Sequence, residues 1–123
     1  MVYGVDLDKA ELTEEELEKI ILKTTEVIST EITKETLSVA YYDRGVAYGR
    51  KKEHEKAILD FSKAIELSYT YTWAAYYNRG WDYYSIKQFE MALSDFKKAD
   101  RLNQNNDYIQ RNMQATLEKL SGS

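Results

Sequence analysis

One block of this sequence occurs twice in register. Residues 40–67 read AYYDRGVAYGRKKEHEKAILDFSKAIEL, and thirty-five positions later residues 75–102 read AYYNRGWDYYSIKQFEMALSDFKKADRL, with no gap needed in either copy. Gly45 and Gly80, Ala57 and Ala92, Phe61 and Phe96, and Ala64 and Ala99 each stand 35 apart. Self-similarity at a period of roughly 20–50 residues marks a stacked-repeat architecture, in which a unit buries its apolar face only against a neighbouring unit. No other feature of the chain narrows the available folds so far.

Within each copy the apolar and small residues recur three or four apart, the spacing of one helix face. Tyr41, Gly45 and Tyr48 form one such run in the first copy, and Ala57, Phe61, Ala64 and Ile65 form another. The polar stretches 50–53 and 85–88 separate the runs at matched places. The unit is therefore a helix, a tight turn and a second helix. Gly45 and Ala57 carry almost no side chain where two such helices would cross, so the backbones are free to approach. Glycine inside a helix costs up to about 1 kcal/mol relative to alanine. Its return at Gly80 points to a packing requirement, with Phe61 and Tyr48 filling the space around the crossing.

At these residues the sequence resembles the tetratricopeptide repeat family, whose pattern is W-x2-L-G-x2-Y followed by A-x3-F and a proline. The first copy gives Tyr41-x2-Arg44-Gly45-x2-Tyr48 with Ala57-x3-Phe61, and the second gives Tyr76-x2-Arg79-Gly80-x2-Tyr83 with Ala92-x3-Phe96. Arginine stands where the pattern has leucine, tyrosine where it has tryptophan, and the closing proline is missing from both. The connection 68–73 is one residue longer than the usual period of about 34 requires, which shifts the stacking angle expected there. The resemblance implies an all-α stack of helix-turn-helix repeats, about six helices wound as an α-α superhelix.

Taken in order, residues 1–12 have no clear period and read as a loose lead-in. Residues 13–34 read as an N-terminal capping helix, opened by a capping box of Thr13 and Glu16 with Glu14, Glu15 and Glu16 in its first turn. Its stripe Leu17, Ile20, Ile21, Thr24, Val27 and Ile28 needs a partner, and the outer side of the first repeat helix is the nearest one. The first repeat spans 38–72, with helices expected near 35–50 and 53–67. The second spans 73–106, with helices near 72–85 and 88–102. The polar break Asn103–Asn106 suits a turn. Residues 107–120 then place Tyr108, Ile109, Met113, Leu117 and Leu120 on one side, as a C-terminal capping helix that covers the last apolar face. Residues 121–123 are a tail.

Composition removes several classes of function. The chain has no cysteine, hence no disulfide framework, thiolate metal site or thiol nucleophile. No apolar run nears the ~20 residues that span a bilayer, and the N-terminus lacks the basic start and apolar core of a secretory signal. A cytoplasmic protein without membrane contact is expected by default. The acid is unevenly placed: residues 1–37 hold ten acids against four bases, while 38–123 hold eleven against thirteen. The acidic side of the capping helix reads as solvated surface. The sequence shows no glycine-rich phosphate loop, metal-ligand cluster or nucleophile triad, so neither enzyme activity nor a cofactor or metal is expected. Pentatricopeptide repeats share the hairpin form and bind RNA, but that requires a basic surface for the phosphate backbone; no nucleic-acid partner is expected for this slightly acidic chain.

Function then rests on the surface that the repeats expose. In the family the resemblance indicates, the first helix of each repeat lines a concave groove that holds a peptide or a helix of another protein. Residues not needed for packing within a repeat select Tyr42, Asp43, Val46 and Arg50 from the first unit and Tyr77, Asn78, Trp81 and Tyr84 from the second. Tyr108, Arg111 and Asn112 extend this surface onto the closing helix. Aromatic and arginine side chains dominate interaction hot spots, so the expected function is non-catalytic binding of an amphipathic helix or extended segment of a protein partner. The alternative is self-association, as a homodimer or scaffold, through the same aromatic faces. Some family members clamp a chaperone's C-terminal carboxylate with two lysines, two asparagines and an arginine. Only Asn78 matches that set here, Tyr42 and Val46 standing where the first lysine and asparagine belong, which argues against a clamp. His54, the sole histidine, aligns with Phe89 and is expected to pack in its place. Arg44 and Arg79 recur with Asp60 and Asp95; each arginine is expected to reach the aspartate of its own repeat.

Overall fold

A computed structural model of the chain describes residues 11–30 and 33–122. Over these residues it contains six α-helices: α1 (Glu14–Thr30), α2 (Lys34–Arg50), α3 (His54–Glu66), α4 (Thr72–Ser85), α5 (Phe89–Leu102) and α6 (Asp107–Leu120). Helices α2 to α6 agree with the predicted spans to within one residue, and α1 ends at Thr30, inside the segment 13–34 assigned to the capping helix. The lead-in expected over 1–12 lies outside the described residues save for Glu11 and Leu12, as do residues 31, 32 and 123 of the expected end segments. Each helix packs on the next in chain order, and α2 also touches α4. The result is a stack of helical hairpins with α2 and α4 side by side on one face.

Local chemistry sets the helix ends. The Thr13 hydroxyl accepts from the Glu16 amide at 3.1 Å, and the Glu16 carboxylate accepts from the same hydroxyl. Lys51, just past α2, pairs with Glu14 at 2.9 Å and with Glu18, which pins the start of α1 to the end of α2. Leu17 and Ile20 of α1 are buried in the main core, so the capping helix does find its partner on α2. The turn after α2 closes with Lys52 N–H on the Gly49 carbonyl (3.0 Å) and Glu53 N–H on the Tyr48 carbonyl (2.9 Å). The turn after α4 repeats this pairing at Lys87 and Gln88, and the turn after α3 at Ser68 and Tyr69. These bonds satisfy carbonyls that a helix end leaves open. Lys52, Ser68 and Lys87 accordingly hold φ of 60–65°.

The repeats cross as closely as their glycines suggest. A Cβ built on Gly45 would lie 2.9 Å from Cε1 of Phe61, and one on Gly80 would lie 2.8 Å from Cε1 of Phe96. Both rings are fully buried, as are Ala57, Ala64, Ala92 and Ala99. Burial of such a ring is worth about 1.5–3 kcal/mol, and an added methyl would displace it.

The arginines that replace the family's leucine form a polar node in each repeat. Arg44 Nε and Nη2 donate to Asp60 at 2.7 and 2.9 Å, and Arg79 Nε and Nη2 donate to Asp95, both at 2.8 Å. Each guanidinium also lies 5.5–5.8 Å from two tyrosine rings: Tyr41 and Tyr48 for Arg44, Tyr76 and Tyr83 for Arg79. The remaining Nη1 reaches back one layer, to the hydroxyl of Thr25 on α1 (3.1 Å) or of Ser62 on α3 (3.0 Å). The expected arginine–aspartate pairs are present, and a third partner ties each repeat to the helix before it. Thr25 and Ser62 do the same job, so α1 meets the first repeat as α3 meets the second.

Two expectations need correction. The contact face of α6 is Ile109 and Thr116, both fully buried, with Asn112 and Met113 half-buried between them; Tyr108, Leu117 and Leu120 are exposed. The helix is rotated from its most apolar stripe because Asn112 reaches the Tyr77 hydroxyl (2.8 Å) and Thr116 turns its hydroxyl back on the Asn112 carbonyl (2.6 Å). His54 is not an apolar substitute for Phe89: its Nδ1 lies 2.7 Å from Oδ1 of Asp82 on α4, a polar link between repeats.

Candidate functional site

The inner face of the stack is an open groove of about 1230 Å³ lined by α2, α4, the connection between α3 and α4, and the start of α6. Of the residues that the sequence selects, Tyr42, Asp43, Val46, Arg50, Tyr77, Asn78, Trp81 and Tyr108 line it. Tyr84, Arg111 and Asn112 do not. Tyr84 packs between Trp81 and Phe89, at ring distances of 5.5 and 5.2 Å, and Arg111 lies over the Tyr108 ring at 6.0 Å.

The lining divides into a sealed floor and an exposed rim. Tyr42, Asp43 and Val46 are only 6, 3 and 8% exposed. Tyr42 stacks on Tyr69 at 4.5 Å and its hydroxyl accepts from Asn78 Nδ2 at 2.9 Å. These first-unit residues therefore shape the floor and are not free arms of the surface. The Tyr42–Asn78 bond recurs one unit on as Tyr77–Asn112, so a tyrosine of each first helix holds an asparagine of the next. Burial pushes the Tyr77 phenol above its usual range, against the opposing effect of Asn112. Tyr77 thus stays neutral, and both tyrosines serve as hydrogen-bonding spacers.

His54 and Asp82 close one end of the floor. Burial pushes the Asp82 carboxyl up to about 6, against the lowering effect of the His54 hydrogen bond. Gly49 leaves room for this carboxylate: a Cβ there would lie 3.1 Å from Asp82 Oδ1. The pair has the residue types of an acid–base dyad, but among the described residues no cluster of three or more His, Cys, Asp or Glu assembles as metal ligands would. Its partners are each other, and its position joins α3 to α4.

The rim is aromatic. Tyr71, Trp81 and Tyr108 are 59, 47 and 68% exposed, and each comes from a different segment of the lining. Trp81 occupies the place that Val46 holds in the first unit, yet Val46 is buried. Tyr69, Tyr71 and Trp73 of the connection and first turn of α4 also line the groove, although the sequence reading drew only on the first helices of the repeats and the closing helix. The aromatic run Tyr69-Thr70-Tyr71-Thr72-Trp73, sited in the one connection that is a residue too long, was the available signal. None of the described helices is long and apolar enough to cross a membrane.

Comparison with known proteins agrees with this architecture. No curated protein matches the chain significantly. Models of the tetratricopeptide repeat match residues 38–68 and 74–106, together just over half of the chain, and the matched intervals hold α3 and α5 entire with most of α2 and all but the first two residues of α4. Repeats of this kind build protein–protein interaction and scaffold modules. On its duplicated hairpins, its glycine crossings and these two matches, the chain belongs to the tetratricopeptide repeat family.

Proposed function

We propose that the groove is the working surface of the protein and that it binds a segment of a partner protein without catalysis. One observation carries this reading: three large aromatic side chains, Tyr71, Trp81 and Tyr108, stand exposed over a floor sealed by the chain's own contacts. Clustered exposed aromatics lose apolar area to water that a partner would cover, and they present it with few rotors to freeze. They are the side chains that most often supply interface hot spots. Trp81 and Tyr108 make the sequence-selected contacts, Tyr71 joins them, and Tyr77 and Asn78 set the surface beneath.

The experiment is a selection of random displayed peptides on the parent protein, followed by binding of the selected peptides to variants. Trp81→Ala and Tyr71→Ala are expected to weaken binding at least about tenfold, equivalent to about 1.4 kcal/mol. Leu59→Ala, on an exposed outer position of α3, is expected to leave it unchanged. Equal binding by all three variants would remove the groove from the account. A concentration-dependent dimer that shields Trp81 without any peptide would assign the same surface to a second copy instead.

A further inference from the structure

We propose that the groove anchors its bound segment by a basic side chain, lysine or arginine, held against the Asp82 carboxylate, an inference that rests on the groove being the binding site. Three departures from the internal repeat carry it. The first copy has Gly49 and His54 where the second has Tyr84 and Phe89, and the second has Asp82 where the first has Ala47. In the second unit the two rings pack together at 5.2 Å. In the first unit glycine removes one ring, histidine makes the other polar, and Asp82 comes into the space between. Its Oδ1 lies 2.7 Å from His54 Nδ1. The three atoms nearest to a Cβ built on Gly49 all belong to Asp82, its two oxygens at 3.1 and 3.5 Å. Gly45 and Gly80 make room for buried rings, whereas Gly49 makes room for this carboxylate. Gly49, His54 and Asp82 all line the groove. Repeat packing calls for none of them, because the equivalent positions pack without them.

The carboxylate lacks a full counter-charge. Asp82 is 6% exposed, and among the described residues its ion pair is with His54. A neutral imidazole donates one N–H bond and brings no charge. The other oxygen, Oδ2, accepts from no described residue, yet it is not one of the fully enclosed unbonded oxygens, so it keeps access to the groove. Burial pushes this carboxyl up to about 6, and the His54 hydrogen bond lowers it only in part. Such a group gains most from a hydrogen-bond donor that is itself charged. The other charged groups of the lining, Asp43 and Arg50 on α2, already have partners. α5 also packs on α4 but contributes no residue to the lining, and its Asp95 is held by Arg79. A bound lysine or arginine would supply the missing charge. Trp81, the preceding residue and 47% exposed, offers apolar area to its methylene stem.

The pH dependence of binding then has a definite sign. Asp82 holds the cation as a carboxylate, so binding weakens as pH falls through about 6. A proton gained by His54 acts in the same direction, because it supplies the charge that the ligand would bring.

The test selects random displayed peptides on the full chain at about pH 7.5, well above the Asp82 window, and measures them against variants. The selected peptides are expected to share a lysine or arginine at one fixed position, and methionine placed there is expected to weaken binding at least about tenfold. Asp82→Asn is expected to remove that difference. Gly49→Ala leaves the carboxylate in place but sets a methyl over it, and is expected to weaken the basic peptides while sparing their methionine forms. Circular dichroism verifies that both variants fold. At about pH 5 the basic peptides are expected to bind the parent up to about tenfold more weakly, following the ionised fraction of Asp82, and Asp82→Asn is expected to lose that dependence. Peptides that bind in a Trp81-dependent way without a fixed basic residue, and equally well to Asp82→Asn, would overturn the anchor while leaving the groove as the site. Recovery of no peptide whose binding depends on Trp81 or Asp82 would overturn both.

Discussion

Replacing Gly80 by alanine isolates the close helix crossing on which the stack depends. Helix propensity alone predicts a gain, since alanine is favoured over glycine in a helix by about 0.8–1 kcal/mol. The structure predicts a loss. The new methyl would sit 2.8 and 2.9 Å from Cε1 and Cδ1 of Phe96 and 3.2 Å from Cβ of Asp95. Neither neighbour gives way easily: Phe96 is fully buried, and Asp95 is held by two bonds from Arg79 at 2.8 Å. Overpacking of this kind costs about 1–3 kcal/mol; contacts under 3 Å to a ring that cannot turn belong at the upper end. The net expectation is a destabilisation of about 1–2 kcal/mol. In urea, at a slope of about 1–3 kcal/mol per molar, the midpoint falls by on the order of 1 M with the slope unchanged. Phe96→Leu in the Gly80→Ala background is expected to cost less than Phe96→Leu alone, because the smaller side chain makes room for the methyl. Gly49→Ala is the control: its nearest neighbour is the Asp82 carboxylate tip at 3.1 Å, so its loss is expected to be much smaller. A Gly80→Ala protein as stable as the parent, or more so, would refute the argument that these crossings require glycine.

Two further perturbations test the polar nodes. Arg79→Leu restores the family's usual residue type but leaves Asp95, 2% exposed, without its counter-charge; a loss of about 3–5 kcal/mol is expected, and adding Asp95→Leu should recover most of it in equilibrium unfolding. An Arg79→Leu protein as stable as the parent would mean that the pair contributes nothing. For Asp82, the folded value of about 6 lies above the ordinary 3.8, so the folded chain holds this proton more tightly than the unfolded chain. Its contribution is fully present below 3.8 and is lost as pH rises through 6. The stability of the parent relative to Asp82→Asn is therefore expected to rise as pH falls through that window, measured by urea unfolding at a series of pH values. The opposite slope would show that His54 holds Asp82 chiefly as a carboxylate.

Much of this arrangement was legible because it repeats. The fixed spacing of Gly45, Ala57 and Phe61 against Gly80, Ala92 and Phe96 placed four helices and their crossings, and the recurrence of Arg44 with Asp60 and Arg79 with Asp95 announced the salt bridges. Repetition is silent about position within a stack. Val46 and Trp81 are equivalent by sequence, yet one is buried and the other forms the rim. Thr25 was not foreseen as a partner of Arg44, since α1 carries no repeat signature that aligns it with Ser62. On α6, two apolar stripes were open to docking. The Asn112–Tyr77 bond decided between them, and a hydrophobicity count cannot register that contact. Tyr69 and Tyr71 escaped because they fall in a connection, where no period applies, and Trp73 because it sits in the first turn of α4, ahead of the repeated block.

The most direct measurement of the central claim is a map of chemical-shift changes in isotope-labelled protein as a selected groove peptide is added. The account predicts that the Trp81 indole N–H and the amide groups of Asn78 and Asn112 move together with the backbone of Tyr71 and Tyr108, while Leu59 and Met91 on the exposed outer helices stay in place. Shifts confined to α3 and α5, with the Trp81 indole unmoved, would place binding on the opposite side and contradict it.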